Sequence, residues 1–392
     1  MSGMKPPIYD DCERTDLAPQ RNAETSFAFF NRAGGSLWRH SRALHQEWAD
    51  RLREREYADV RAALRSDDAQ ARSAFLELYL HECLVRGGHE VVIHPELKHT
   101  PRRPDFLASR DATRVFIEAI APGTSLADRA AANRMGALLS TLDQVGDDNF
   151  VLMTTSIIEA SNSAPAAKLR DRIRKWLTQL DPNSVDTEDL SSETFEQEGW
   201  SVTVKAMPIK RNSRSNARRS IGVYAHTAAH FVDDGAKLVA ALESKAKRYG
   251  QLDAAFVVAV GTASFAEVDE YALNALYGSV SWTLDGLNPG EEITARGVRN
   301  RDGYFGSPGA WKNRQVSAVL IVDQLSLHDP TRARVSLWAH PDPLHPLPNE
   351  PMFPGVIHEW NGRCTDKREA LDARRLLGLT DDWPQGRRWQ AD

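Results

Sequence analysis

The chain has 392 residues, a formal net charge of −5 and an apolar content of 41%. That length buries a sizeable core, expected to divide among two or three subdomains, and the composition excludes disorder of the whole chain. The negative balance argues against indiscriminate coating of nucleic acid, though not against a local basic surface. Residues 1–25 read as a loose polar tail with no basic-then-apolar secretory signal. From Ser26 to about Arg65 the pattern is helical, with Trp38, Leu44, Trp48 and Leu52 spaced for packing. Phe75–Ala121 follows, FLELYLHECLVRGGHEVVIHPELKHTPRRPDFLASRDATRVFIEAIA. It reads as an amphipathic helix, a short strand, Pro104-Asp105-Phe106, and a second strand with Glu118 inside an apolar run.

Beyond it, Ser125–Val145 reads as a helix and Phe150–Thr155 as a buried strand that continues an α/β pattern. Ala166–Leu180 is amphipathic, and Asp181–Glu198, acidic and rich in Ser and Thr, reads as an exposed linker. Trp200–Val232 contains no acid but carries Lys205, Lys210, Arg211, Arg214, Arg218 and Arg219. Alternating strands on either side of KRNSRSNARRS predict a hairpin over 200–225 with a long basic tip. Such a tip either contacts phosphates, making binding salt-dependent, or is merely solvated. Phe231–Tyr249 reads as a helix, Ala255–Gly261 as a strand covered on both faces, and Ala266–Tyr277 as a helix. Gly and Pro are frequent from Gly278 through Pro308. Gln315–Val322 and Arg334–Ala339 read as a strand pair. PDPLHPLPNEPMFP reads as an irregular wrap, with Trp360, Trp383 and Trp389 packing back on the body. The expected divisions are 1–66, a tail and helical segment; 67–278, an α/β core; and 279–392, a β and proline-rich extension.

Side chains alternate along a strand, so Val115, Ile117 and Ala119 should share one face, and Phe116, Glu118 and Ile120 the other. The polar stretch Ser109–Thr113 predicts a hairpin turn that brings Asp105 near Glu118. Two adjacent carboxylates repel unless a proton or cation lies between them, and hard cations such as Mg²⁺ favour oxygen ligands. The alternative is a surface hairpin whose acids are solvated or paired with Arg102, Arg103 or Arg114. His94 and His99 flank the strand leading to Asp105, where they can meet a phosphate or metal or simply hydrogen-bond. Cys12, Cys83 and Cys364 are odd in number and widely spaced, which suits a reducing cytoplasm and predicts neither a disulfide framework nor a zinc site. Cys83 reads as helix packing. His340 and His345 match no zinc signature and read as surface loop residues. No P-loop, dinucleotide glycine fingerprint or Gly-x-Ser-x-Gly elbow is present, and no uncharged apolar run reaches membrane-spanning length.

The order of helix glutamate, strand, Pro-Asp-Phe, hairpin and apolar-Glu resembles the PD-(D/E)XK nuclease superfamily over residues 75–121. The chain is also similar to a group of bacterial proteins through FNRAGGSLWR, FLELYLHE, KAKRYG and QVSAVLIV. The resemblance implies a restriction-endonuclease-like mixed sheet flanked by helices, with N-terminal helical and C-terminal β or irregular extensions. It implies a phosphodiesterase that uses Mg²⁺ or Mn²⁺, with Asp105 and Glu118 as metal ligands and Glu77 assisting from the preceding helix. Helix geometry does not choose between Glu77 and Glu82, since Glu82 shares the inward face with Phe75, Leu78 and Tyr79. The superfamily's lysine, two residues after the strand glutamate, is here Ile120, which cannot polarise a phosphate. A candidate substitute is Lys245, in the middle of the apolar stripe formed by Leu238, Leu242 and Tyr249. Its stem can equally pack while the ammonium snorkels outward.

The expected function is divalent-metal-dependent cleavage of nucleic acid, with DNA as the expected substrate. Arg103, Lys210, Arg211, Arg214, Arg218 and Arg219 would position the backbone. A cytoplasmic location and no membrane partner are expected, and a protein partner or homodimer is allowed. The alternative is an inactive nuclease-fold module that binds nucleic acid or a protein within a defence or repair assembly. Metal binding separates the two.

Overall fold

A computed structural model describes residues 5–121, 126–184, 190–209, 221–222, 234–246, 248–262, 268–285 and 294–386. The chain begins with α1 (Ser26–Arg32), α2 (Ser36–Asp50), α3 (Glu54–Leu64) and α4 (Asp68–Arg86), then β1 (Glu90–Ile93), β2 (Phe106–Arg110) and β3 (Thr113–Ile120). Next come α5 (Leu126–Asp143), β4 (Phe150–Ile158), α6 (Ala166–Leu177), β5 (Ser192–Gln197), β6 (Trp200–Pro208) and β7 (Ile221–Gly222). These are followed by α7 (Asp234–Ala246), β8 (Ala255–Thr262), α8 (Val268–Tyr277), β9 (Val280–Asp285), β10 (Thr294–Arg299), β11 (Gly306–Ser307) and β12 (Ala310–Trp311). The last elements are β13 (Ala318–Asp323), β14 (Arg334–Ala339), β15 (Val356–Trp360), β16 (Thr365–Glu369) and α9 (Ala373–Leu377).

The class is α/β, with a large mixed sheet flanked by helices. Eight strands run in the order β1-β2-β3-β8-β13-β14-β15-β16. The pairs β3–β8, β8–β13 and β14–β15 are parallel, and the other neighbours are antiparallel. The central strand β8 is buried at Ala255–Val260, as its unbroken apolar run requires. Its side chains divide by parity. Ala255, Val257 and Ala259 join Val115, Ile117, Leu320 and Val322 on one face, against Phe75, Leu78 and Tyr79 of α4. Phe256, Val258 and Val260 join Phe116, Val319 and Ile321 on the other, against Leu238 and Leu242 of α7 and Ala272 and Leu276 of α8. Each fully buried Val, Leu or Phe contributes about 1.5–3 kcal/mol, so the two helical layers hold the sheet rigid from both sides. Helix α4 starts where the Asp67 side chain accepts a hydrogen bond from the Gln70 amide at 2.9 Å. It stops at Gly87-Gly88, with Gly88 in the left-handed region.

The chain divides into two compact units, and these divisions differ from the expected ones. Unit one is 1–18, 26–124 and 233–392; unit two is 19–25 and 125–232. The span 67–278 is therefore not one core. Nor is 279–392 an extension, since β13–β16 supply half of the large sheet. The strand at Phe150 does not continue that sheet. It belongs to a four-stranded sheet ordered β5-β6-β4-β7, whose core holds Leu138, Leu142, Leu169, Ile173, Trp200 and Val202. The acidic segment 181–198 is not simply a linker, because β5 lies within it and pairs with β6. The hairpin expected over 200–225 does not form between its flanking strands. Both edges of β6 are taken, by β5 and β4, so β7 pairs with β4 in parallel instead. Its basic tip, with Lys210, Arg211, Arg214, Arg218 and Arg219, lies outside the described residues. Trp360 and Trp383 pack against the body, as their amphipathic rings favour, and Trp389 also lies outside the described residues. No described helix is long and apolar enough to cross a membrane.

Candidate active site

Strands β2 and β3 are joined through Asp111 and Ala112, with Asp111 at φ 53°, a left-handed conformation that Asp tolerates. The register pairs Phe106 with Ile117, so Asp105 stands opposite Glu118. On the other edge of β2, the β1 ladder also continues past Phe106, because the His94 amide donates to the Asp105 carbonyl at 2.9 Å. The Asp105 carboxylate accepts a hydrogen bond from the Ala119 amide at 2.6 Å. Glu118 is 1% exposed and lies on the face that carries Phe116. The turn chemistry and the strand parity together place both acids at one point on the sheet.

Lys245, in the last turn of α7, donates from Nζ to Glu118 Oε1 at 2.6 Å. The Tyr249 hydroxyl donates to Glu118 Oε2, and Arg248 Nη1 is 3.8 Å from Oε1. Glu118 thus has both oxygens engaged by groups from the segment 245–249. His99 fastens that segment, donating from Nε2 to the Tyr249 carbonyl at 2.7 Å. Burial, and then the hydrogen bond to Glu118, push the Tyr249 phenol well above its usual range, so it remains a donor.

The three carboxylates feel one another. Burial, then the charges of Glu118 and Glu77, push Asp105 up to about 8, against the opposing pull of the Ala119 amide and Lys245. Burial and the charge of Glu118 push Glu77 up to about 7, with Lys245 pulling down. Glu82 takes no part. It is completely buried, bonded to Arg86, and 3.1 Å from Arg51. Glu82→Ala should cost about 1–3 kcal/mol, because Arg86 and Arg51 lose a buried partner but keep Glu47. Denaturant titration should show that loss, while the folded fraction keeps the properties of the Asp105 site.

The sign of the pH effect follows from the raised carboxyls. Asp105 holds a proton in the folded chain over a range where the unfolded chain has released it, from its ordinary 3.8 up to about 8. Stability therefore falls as pH rises through that window and is lowest above it. In metal-free buffer the melting temperature should drop between pH 5 and pH 8.5. Asp105→Asn should flatten that drop, and an unchanged slope would contradict the electrostatic account.

The arginines of the surface-hairpin alternative are engaged elsewhere. Arg103 pairs with Glu96 at 2.6 Å, Arg114 with Asp253 at 3.2 Å, and Arg102 donates to the Arg248 carbonyl at 3.3 Å. Arg103 is half-exposed. His340 is not a surface loop residue. It is 4% exposed, packs on Phe305 and donates to the Lys312 carbonyl at 2.7 Å. The sequence reading missed Arg248 and the Tyr249 hydroxyl. The usable signal was nearness in sequence, since Tyr249 follows Lys245 by four residues, although α7 ends at Ala246 and Tyr249 lies in the turn after it.

Among the described residues, no three His, Cys, Asp or Glu side chains are grouped as a metal centre. The donor chemistry fits a hard divalent cation: Asp105 and Glu118 are oxygen donors, and burial, followed by the charge of neighbouring carboxylates, shifts Asp105 and Glu77 upward. Lys245 and Tyr249 each donate to one oxygen of Glu118, so a cation would share that carboxylate with them. No protein-family model matches the chain, and no curated protein or solved structure does.

Proposed function

We propose that the chain is a divalent-metal-dependent nuclease that cleaves phosphodiester bonds, with a restriction-endonuclease-like core. The observation that carries this reading is Lys245, which reaches Glu118 from a helix at 2.6 Å and stands in for the group missing at Ile120. Asp105 and Glu118 would hold Mg²⁺ or Mn²⁺, which supplies charge to a phosphate oxygen and acidity to a nearby water. Lys245 faces the same point, where its charge stabilises negative charge developing on the phosphate. Glu77, near pKa 7, is matched to accept the proton that an attacking water gives up. Tyr249, anchored through His99, fixes the orientation of Glu118. Arg103 and Arg248 offer positive charge for the backbone beside the site, and DNA is the preferred substrate.

The test is incubation with plasmid, single-stranded DNA and RNA in Mg²⁺, in Mn²⁺ and in EDTA. Cleavage in the metal arms alone supports the reading; intact substrates in every arm overturn it. The acid-free span gives a separate expectation. Replacing Arg211, Arg214, Arg218 and Arg219 by alanine should reduce the slope of log affinity against log salt by roughly 0.7–0.9 for each phosphate no longer neutralised. An unchanged slope would make the segment a bystander.

A further inference from the structure

The turn that follows α7 carries a second cation to the candidate site. Its backbone is fixed around Arg248. The Arg248 amide donates to the Lys245 carbonyl at 3.0 Å. Arg102 Nη1 donates to the Arg248 carbonyl at 3.3 Å, and His99 holds the next carbonyl, that of Tyr249. Both fasteners come from the loop that leads into Asp105. From this fixed point the Arg248 guanidinium brings Nη1 to 3.8 Å from Glu118 Oε1, too far for a hydrogen bond. Among the described residues the guanidinium makes no hydrogen bond, and no other carboxylate pairs with it. Its side chain is half-exposed, so solvent satisfies its donors. Arg103 and Arg114 differ, since their charges are met by Glu96 and Asp253. Lys245 differs too, bonded at 2.6 Å to the oxygen that Arg248 only approaches. As a counter-ion to Glu118, Arg248 adds little. Glu118 already receives a hydrogen bond on each oxygen, and a half-exposed charge at that distance is screened. Arg248 is thus a charge held at the site with its five N–H donors uncommitted to the protein.

We propose that Arg248 grips the phosphate next to the scissile one, so that the substrate of this site is a polynucleotide with an anionic neighbour there, and not an isolated phosphodiester. The proposal rests on the nuclease reading, which places the scissile phosphate. In that reading the metal and Lys245 meet the scissile phosphate, because both share the Glu118 carboxylate. Arg248 stands farther from Glu118 than Lys245 does, and its side chain is the more open to solvent, 45% exposed against 27%. It is therefore placed where the strand leaves the site. The planar fork of a guanidinium takes two oxygens of one phosphate at once, at hydrogen-bond length, which the buried Glu118 does not offer it. An uncharged neighbour would leave that fork without a partner in the substrate.

The experiment uses the full chain and two labelled thymidine strands whose linkages are otherwise uncharged methylphosphonates. One strand carries a single ordinary phosphodiester, the other two adjacent ones. Each is offered in Mg²⁺, alone and annealed to an unmodified complement. The wild type should cut the second strand at least about ten-fold faster, the scale of a hydrogen bond to a charged group. A second cleavable bond by itself only doubles the rate. In Arg248→Ala the advantage should fall to that doubling. The wild-type comparison needs no variant, so it stands even if Arg248→Ala fails to fold. A separate measurement is binding of an unmodified thymidine strand in EDTA, read by fluorescence anisotropy at several salt concentrations. Arg248→Ala should reduce the slope of log affinity against log salt by roughly 0.7. An advantage that survives in Arg248→Ala, or an unchanged slope, would overturn the proposal. If unmodified DNA is cut and the wild type does not tell the two strands apart, whether it cuts both or neither, the Arg248 assignment alone falls. If nothing is cut, unmodified DNA included, the nuclease reading falls, and the slope still decides whether Arg248 grips a phosphate.

Discussion

Lys245→Met should lower the single-turnover cleavage rate by about 10²–10³-fold, the usual cost of removing one group that stabilises developing charge. The reason is geometric. Among the described residues Lys245 is the cation closest to Glu118, at 2.6 Å, and Arg248 at 3.8 Å is placed to compensate only in part. Methionine keeps the packing volume of the stem on α7. The stability cost should be about 1–3 kcal/mol, the range for leaving a buried acceptor short of a partner. The diagnostic variant is the double replacement Lys245→Met with Ile120→Lys. Ile120 lies two residues after Glu118 on β3 and shares its face, so a lysine there reaches the same carboxylate from the strand. Recovery of at least about ten-fold over the single variant is expected, equivalent to 1.4 kcal/mol of transition-state stabilisation. If Lys245→Met cleaves as fast as the wild type, Lys245 is only a structural counter-ion.

Glu118→Gln should reduce cleavage by about 10³-fold and weaken Mg²⁺ binding, because it removes a charged oxygen donor from the centre of the cluster. Folding should tolerate the change. Glutamine has the same shape, and its carbonyl oxygen can still accept from Tyr249. The effect on the neighbours separates this account from a purely structural ion pair. The charge of Glu118 is one cause of the upward shifts of Asp105 and Glu77. Without it, both carboxyls should titrate lower, and the metal-free protein should lose less stability between pH 5 and pH 8.5. Calorimetry and carboxyl-resolved NMR would measure both. Retained cleavage together with unshifted carboxyls would remove Glu118 from the site.

The sequence made the small hairpin legible because its signals are local. Period-two alternation assigned Val115 and Ile117 to one face and Phe116 and Glu118 to the other, and the core clusters divide them the same way. A polar stretch between two apolar runs located the turn at Asp111. The α7 stripe was also local, and so was the inward aim of Lys245. What failed was long-range. A strand such as Phe150–Ile158 has the same apolar pattern whichever sheet it joins, so nothing near it announces that β3 pairs instead with β8, over a hundred residues later. The same limit hid β13–β16 as members of the main sheet. Their assignment depends on register with distant strands, not on propensity. Glu77 and Glu82 show the ambiguity at side-chain scale. Both sit on α4, and only the positions of Arg51 and Arg86 show that Glu82 is already engaged.

The central claim meets its most direct test in plasmid cleavage by the wild type and by Asp105→Asn, purified alike, in Mg²⁺ and in EDTA. The account predicts cleavage by the wild type in Mg²⁺ alone, and none by Asp105→Asn, which should fold and should melt at the same or a higher temperature at pH 8. Equal cleavage by the two proteins, or cleavage that survives EDTA, would contradict it.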